Sequence, residues 1–95
     1  MHCLISYDIT SNKLRLHVSK VLEKYGDRFQ FSVFEIRHIS VPVYNELLEE
    51  LKGFKKKFKE TDSIFIQKIC ESCLEKQDVI GKYRKMIIDE KCFVL

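Results

Sequence analysis

The chain has 95 residues, 45% of them hydrophobic and 33% charged, with a formal net charge of +3. That balance fits one small globular domain with a limited core and excludes a disordered or low-complexity chain. No apolar run approaches the ~20 residues of a bilayer-spanning helix, and "MHCLISYD" lacks the basic region and cleavage site of a signal peptide, so we expect an intracellular, cytoplasmic protein with no membrane partner.

The elements follow in chain order. "CLISYDI" reads as a strand that ends on an acid, Asp8. "SNKLRLHVSKVLEKYG" then places Leu14, Val18, Val21, Leu22 and Tyr25 on one helical face. Thr10 or Ser11 can cap this helix, and Gly26 is expected to end it in the left-handed conformation. "RFQFSVFEI" alternates, with Phe29, Phe31 and Val33 on an apolar face and Arg28, Gln30, Ser32 and Phe34 on a mixed one. Residues 27–40 accommodate either a tight strand pair or one long bent strand, with a turn near Ser40.

Pro42 suits the first turn of a second helix. Tyr44, Leu47, Leu51, Phe54 and Phe58 form its apolar stripe. "TDSIFIQKI" is a further strand introduced by a polar turn. In residues 70–95, "MII" and "CFVL" read as short strands or an arm, with Gly81 in a turn. This order predicts an α+β, ferredoxin-like sandwich with two helices on one face of an antiparallel sheet.

Three features carry chemistry. Asp8 is either a strand-end acid that favours the next helix through its dipole or a metal ligand or general base at the sheet edge. Magnesium is commonly held by only one or two carboxylates, with waters and substrate phosphates completing its shell. Lys13, His17, Lys20 and Lys24 share one face of the first helix, and Lys52, Lys55, Lys56 and Lys59 form a second basic stripe. These are either solvated faces or a surface that tracks phosphates and reads backbone rather than sequence. "CESC", Cys70 to Cys73, has zinc-pair or redox-pair spacing. One such pair is a weak signal: Cys3 and Cys92 could complete four zinc ligands only if the fold brought them together, and two packed or idle thiols are the expectation.

Taken together, "YDIT" at 7–10, "LRLHVSKVLEKYGDRFQFSVFE" at 14–35 and "DSIFI" at 62–66 resemble the CRISPR-associated protein 2 family. The resemblance covers residues 3–69. It implies a ferredoxin-like βαββαβ fold with an extra C-terminal strand, in one domain over 1–95. It implies a homodimer in which the arm, residues 70–95, pairs with the partner subunit's sheet. It also implies a divalent metal, Mg2+ or Mn2+, held between the two copies of Asp8. Tyr7 and Phe34 match family positions near that cleft, and Arg15 and Arg28 match basic positions that hold phosphate oxygens. With Asp8 these make the expected catalytic set. Lys13, His17, Lys20, Lys52 and Lys56 are the expected nucleic-acid contacts. Where the family often has a second helix-face arginine, this chain has His17, which weakens a permanent charge. The function implied is CRISPR adaptation: binding duplex DNA, bridging the integrase CRISPR-associated protein 1, and metal-dependent endonuclease action on RNA or DNA. A catalytically idle dimeric scaffold and a toxin-like messenger ribonuclease are the alternatives.

Overall fold

β1 (His2–Asp8) runs through the interior of the sheet, and its side-chain alternation explains why. Cys3, Ile5 and Tyr7 are buried on one face, while Leu4 and Ser6 are half-buried and Asp8 is exposed on the other. A computed structural model describes residues 1–70 together with 72, 78 and 80. After β1 come α1 (Asn12–Glu23), β2 (Asp27–Gln30), β3 (Val33–Ile36), α2 (Val41–Lys52), a short 3-10 turn (Lys55–Lys57) and β4 (Ser63–Ile69). The strand order is β2-β3-β1-β4, antiparallel at each pairing. This is the expected ferredoxin-like βαββαβ arrangement. The extra strand and arm expected beyond Cys70, with the turn at Gly81, lie outside the described residues.

Both helices cover the same sheet face. Leu14, Val18 and Leu22 of α1 and Tyr44, Leu47 and Leu51 of α2 join Cys3, Ile5, Tyr7, Phe34 and Ile36 in one core. Burying one such aliphatic side chain is worth about 1.5–3 kcal/mol, so these stripes outweigh any local propensity. Ser11 caps α1 by accepting the Leu14 N–H at 3.2 Å, and Ser40 caps α2 by accepting the Val43 N–H at 3.4 Å. Pro42 sits in the first turn of α2, as its missing N–H allows. No helix among the described residues is long and apolar enough to cross a membrane.

Of the two arrangements open for residues 27–40, the structure has the tight strand pair, a hairpin over residues 27–36 that reverses at Phe31 and Ser32. A register shift between Arg28 and Gln30 breaks the alternation. As a result Phe34 is fully buried in the core, whereas Phe31 is 89% exposed at the hairpin tip. Gly26 does not adopt the left-handed conformation. It is required because β3 passes close by: an added Cβ would overlap the Glu35 carbonyl oxygen and lie 2.6 Å from Ile36 Cδ1. Finally, α2 stops at Lys52, with the Gly53 N–H donating to the Glu49 and Glu50 carbonyls at 3.2 Å each. Phe54 and Phe58 therefore pack against the core from the turn beyond the helix.

Candidate nucleic-acid interface and the strand-end acid

Asp8 is the last residue of β1 and stands opposite Ser63, the first of β4. It is exposed, and no hydrogen bond or ion pair occupies its carboxylate among the described residues. Alternation along β1 sends Asp8 and Tyr7 to opposite faces of the sheet. The expected catalytic residues therefore separate into two groups.

Tyr7, Phe34 and Arg28 are brought together on the core face. The Tyr7 and Phe34 rings stack at 6.4 Å between centroids, and the Arg28 guanidinium lies 4.8 Å from the Phe34 ring centroid. Arg28 also donates a hydrogen bond from Nη1 to the Phe31 carbonyl, closing the hairpin. Phe34 is fully buried and Tyr7 is only 8% exposed. Phe34 thus presents no surface to a ligand, and Arg28 is its exposed lid. Arg15 is exposed on α1, about 200° around the helix from Lys13.

The basic residues divide as well. Lys13 and His17 of α1, with Ser11 and Leu14, form one wall of an open cleft whose other wall is Lys57 and Lys59. Lys52 belongs to a different, largely apolar groove with Leu48, Leu51, Lys55, Phe58, Ser63, Ile64 and Ile66. It also lies 3.8 Å from Glu49. Lys20 and Lys56 are exposed and line neither.

Asp62 escapes a reading of the sequence. Its Oδ1 accepts from the Thr10 N–H at 3.0 Å and from the Thr10 hydroxyl at 3.2 Å. Its Oδ2 accepts from the Lys59 N–H at 2.9 Å. The Lys59 amide, then the Thr10 amide, hold its carboxyl below the usual range by bonding the charged form, against a smaller opposing effect of burial. The Asp in the polar turn "TDS" signals the local half of this arrangement. Nothing in the sequence signals the half that reaches Thr10, 52 residues away.

Glu35 was also not anticipated as a site. It is fully buried, with His2 Nε2 3.3 Å from its Oε2. Burial pushes the Cys3 thiol up, which suits an inert packed cysteine. Cys70 is exposed with its Sγ 3.1 Å from the Ser72 hydroxyl, and Cys73 lies outside the described residues. Among the described residues no three His, Cys, Asp or Glu side chains gather as a ready metal centre.

Known proteins match this chain over most of its length. The family model described as CRISPR associated protein Cas2 matches residues 1–77. "CRISPR-associated endoribonuclease Cas2 1" of Chloroflexus aurantiacus is 41% identical over 81 residues, covering 85% of each chain. "CRISPR-associated endoribonuclease Cas2 2" of Methanospirillum hungatei is 34% identical over 80 residues, covering 83% of this chain and 84% of its own. Among solved structures, Streptococcus pyogenes Cas2 superimposes with a TM-score of 0.70 at 25% identity, over 85% of this chain and 100% of that one. A chain of a partial Cas6-RT-Cas1–Cas2 complex does so with a TM-score of 0.73 at 29% identity, over 83% and 89%. With the βαββαβ sheet, the strand-end acid and the "YDIT" and "RFQFSVFE" signatures in register, the chain belongs to the CRISPR-associated protein Cas2 family.

Proposed function

We propose that this protein is a homodimeric CRISPR adaptation protein that holds nucleic acid, duplex DNA first, by its phosphate backbone and partners the Cas1 integrase. The observation that carries the binding reading is the cleft where Lys13 and His17 face Lys57 and Lys59. Lysine ammoniums are compact charges that track phosphates without reading bases. A structural relative that sits in a complex with Cas1 supports the integrase partnership.

Endonuclease action on RNA or DNA is the catalytic part of the proposal, supported by the endoribonuclease descriptions of the curated relatives. Asp8 suits a divalent cation: it is an exposed hard-oxygen donor that no described residue engages, and Mg2+ or Mn2+ takes one or two such carboxylates. Two copies of Asp8 across a dimer axis would hold it. When bound there, the cation supplies charge neutralisation on a phosphate and a more acidic water. This chain's own contribution is to bind and orient. The lysines hold phosphate oxygens, Arg15 adds an exposed guanidinium, and the Tyr7–Phe34–Arg28 stack keeps the base of the β1 strand rigid.

A second reading, a catalytically idle dimeric scaffold, is favoured by one observation. Tyr7 and Phe34 are spent on packing in the core, on the sheet face opposite the one that carries Asp8. The binding proposal is tested by titrating duplex DNA and single-stranded RNA at a series of salt concentrations. Affinity that falls steeply with salt is expected, and a flat profile would overturn it. Light scattering at micromolar concentration checks the dimer, and a monomer mass would remove the shared Asp8 site.

A further inference from the structure

Resting on that binding reading, we propose that Asp62 is the positioning residue of a phosphodiester-binding cleft in which Lys57 and Lys59 form the wall opposite Lys13 and His17. The two walls come from distant parts of the chain. One starts at Ser11, immediately after Thr10, and the other ends at Lys59. Asp62 bonds to both flanking residues, spending Oδ1 on the Thr10 N–H and hydroxyl and Oδ2 on the Lys59 N–H. A local turn needs only the Lys59 bond, which the Asp62 N–H already answers by donating to the Lys59 carbonyl at 3.0 Å. The Thr10 bonds are additional, and they set how far apart the walls stand.

Charge supports an anionic occupant. Lys13, Lys57 and Lys59 have no acidic group within 4.0 Å among the described residues, whereas Lys24 pairs with Glu50 at 3.1 Å and Lys52 with Glu49 at 3.8 Å. The first turn of α1, which opens on the same cleft, carries no acid. Asp62 turns both oxygens to backbone amides and the Thr10 hydroxyl. Ammoniums facing one another across an open cleft, none of them in close ion pairing, repel, and a chain of phosphodiesters relieves that repulsion while releasing its own counterions. The cleft has point charges and no planar recognition group, so it reads backbone and not sequence.

The test is the slope of log affinity against log salt for labelled duplex DNA. Each lost phosphate contact removes ~0.9 from that slope, so Lys57→Gln/Lys59→Gln is expected to lower it by about 1.8 per engaged cleft. Asp62→Ala should lower the slope to the same value, and combining it with the lysine pair should add nothing. A purely structural role would reduce the folded fraction and leave the slope unchanged. Thr10→Val, which removes only the hydroxyl bond, is the gentler variant should Asp62→Ala fold poorly, and it should lower the slope part of the way. Flat salt dependence in the unaltered protein would remove the binding reading itself. A steep wild-type slope that the lysine pair does not change would overturn the cleft alone. Additive loss on combining Asp62→Ala with the lysine pair would overturn the positioning role of Asp62.

Discussion

The Tyr7 and Phe34 rings stack 6.4 Å apart with their planes 28° from parallel, and this contact joins the last buried turn of β1 to the hairpin of β2 and β3. Two residues expected to face a substrate are instead part of what holds the sheet in register.

The first prediction follows from that burial. Phe34→Ala should destabilise the fold by about 3–5 kcal/mol, the usual consequence of emptying a fully buried aromatic site. Chemical denaturation measures it. A loss below about 1 kcal/mol, the size of a surface change, would place the ring outside the core.

Gly26 and Gly53 should behave differently under the same substitution. Gly26→Ala forces a Cβ into the Glu35 backbone and should cost about 1–3 kcal/mol, because β3 itself must shift. Gly53→Ala meets its nearest atom, the Glu50 carbonyl oxygen, only at 3.2 Å and keeps an ordinary helical φ of −62°. It should stay within about 1 kcal/mol of the unaltered protein. Thermal melts of the two variants decide the matter, and equal melting temperatures would show that the close approach at Gly26 is not needed.

Asp62 predicts an acid limb in stability. Its folded carboxyl titrates below the usual range, so the charged form is favoured more in the folded protein than in the unfolded chain. Its contribution is then fully present above the unfolded value of ~3.9 and is lost as pH falls through the depressed folded value. Asp62→Asn should lower stability at neutral pH and converge with the unaltered protein in acid. Parallel stability curves from neutral pH into acid would contradict the hydrogen-bonded carboxylate.

Most of the fold was legible in the sequence because it rests on periodicity. The α1 stripe of Leu14, Val18 and Leu22, the Ser11 cap and Pro42 in the first turn of α2 all lie where their spacing puts them. The hairpin was not decided, because "RFQFSVFEI" satisfies strict alternation while a two-residue reversal and a register shift cut across it. That ambiguity assigned Phe34 to the wrong face and Phe31 to the core. Asp8 was readable at the site because it terminates an apolar strand, and Lys13 with His17 because four residues separate them on a helix. Lys57 and Asp62 were not, since their roles depend on contacts between segments about fifty residues apart, which neither propensity nor periodicity encodes.

The most direct measurement compares the purified protein and its Asp8→Asn variant on labelled single-stranded RNA and duplex DNA, with Mg2+, Mn2+ or chelator. Cleavage by the unaltered protein only, abolished by chelator, is expected, with both proteins retaining salt-sensitive binding. Equal cleavage in both, or none in either, would contradict Asp8 as the metal-holding residue and leave the DNA-bridging scaffold as the function.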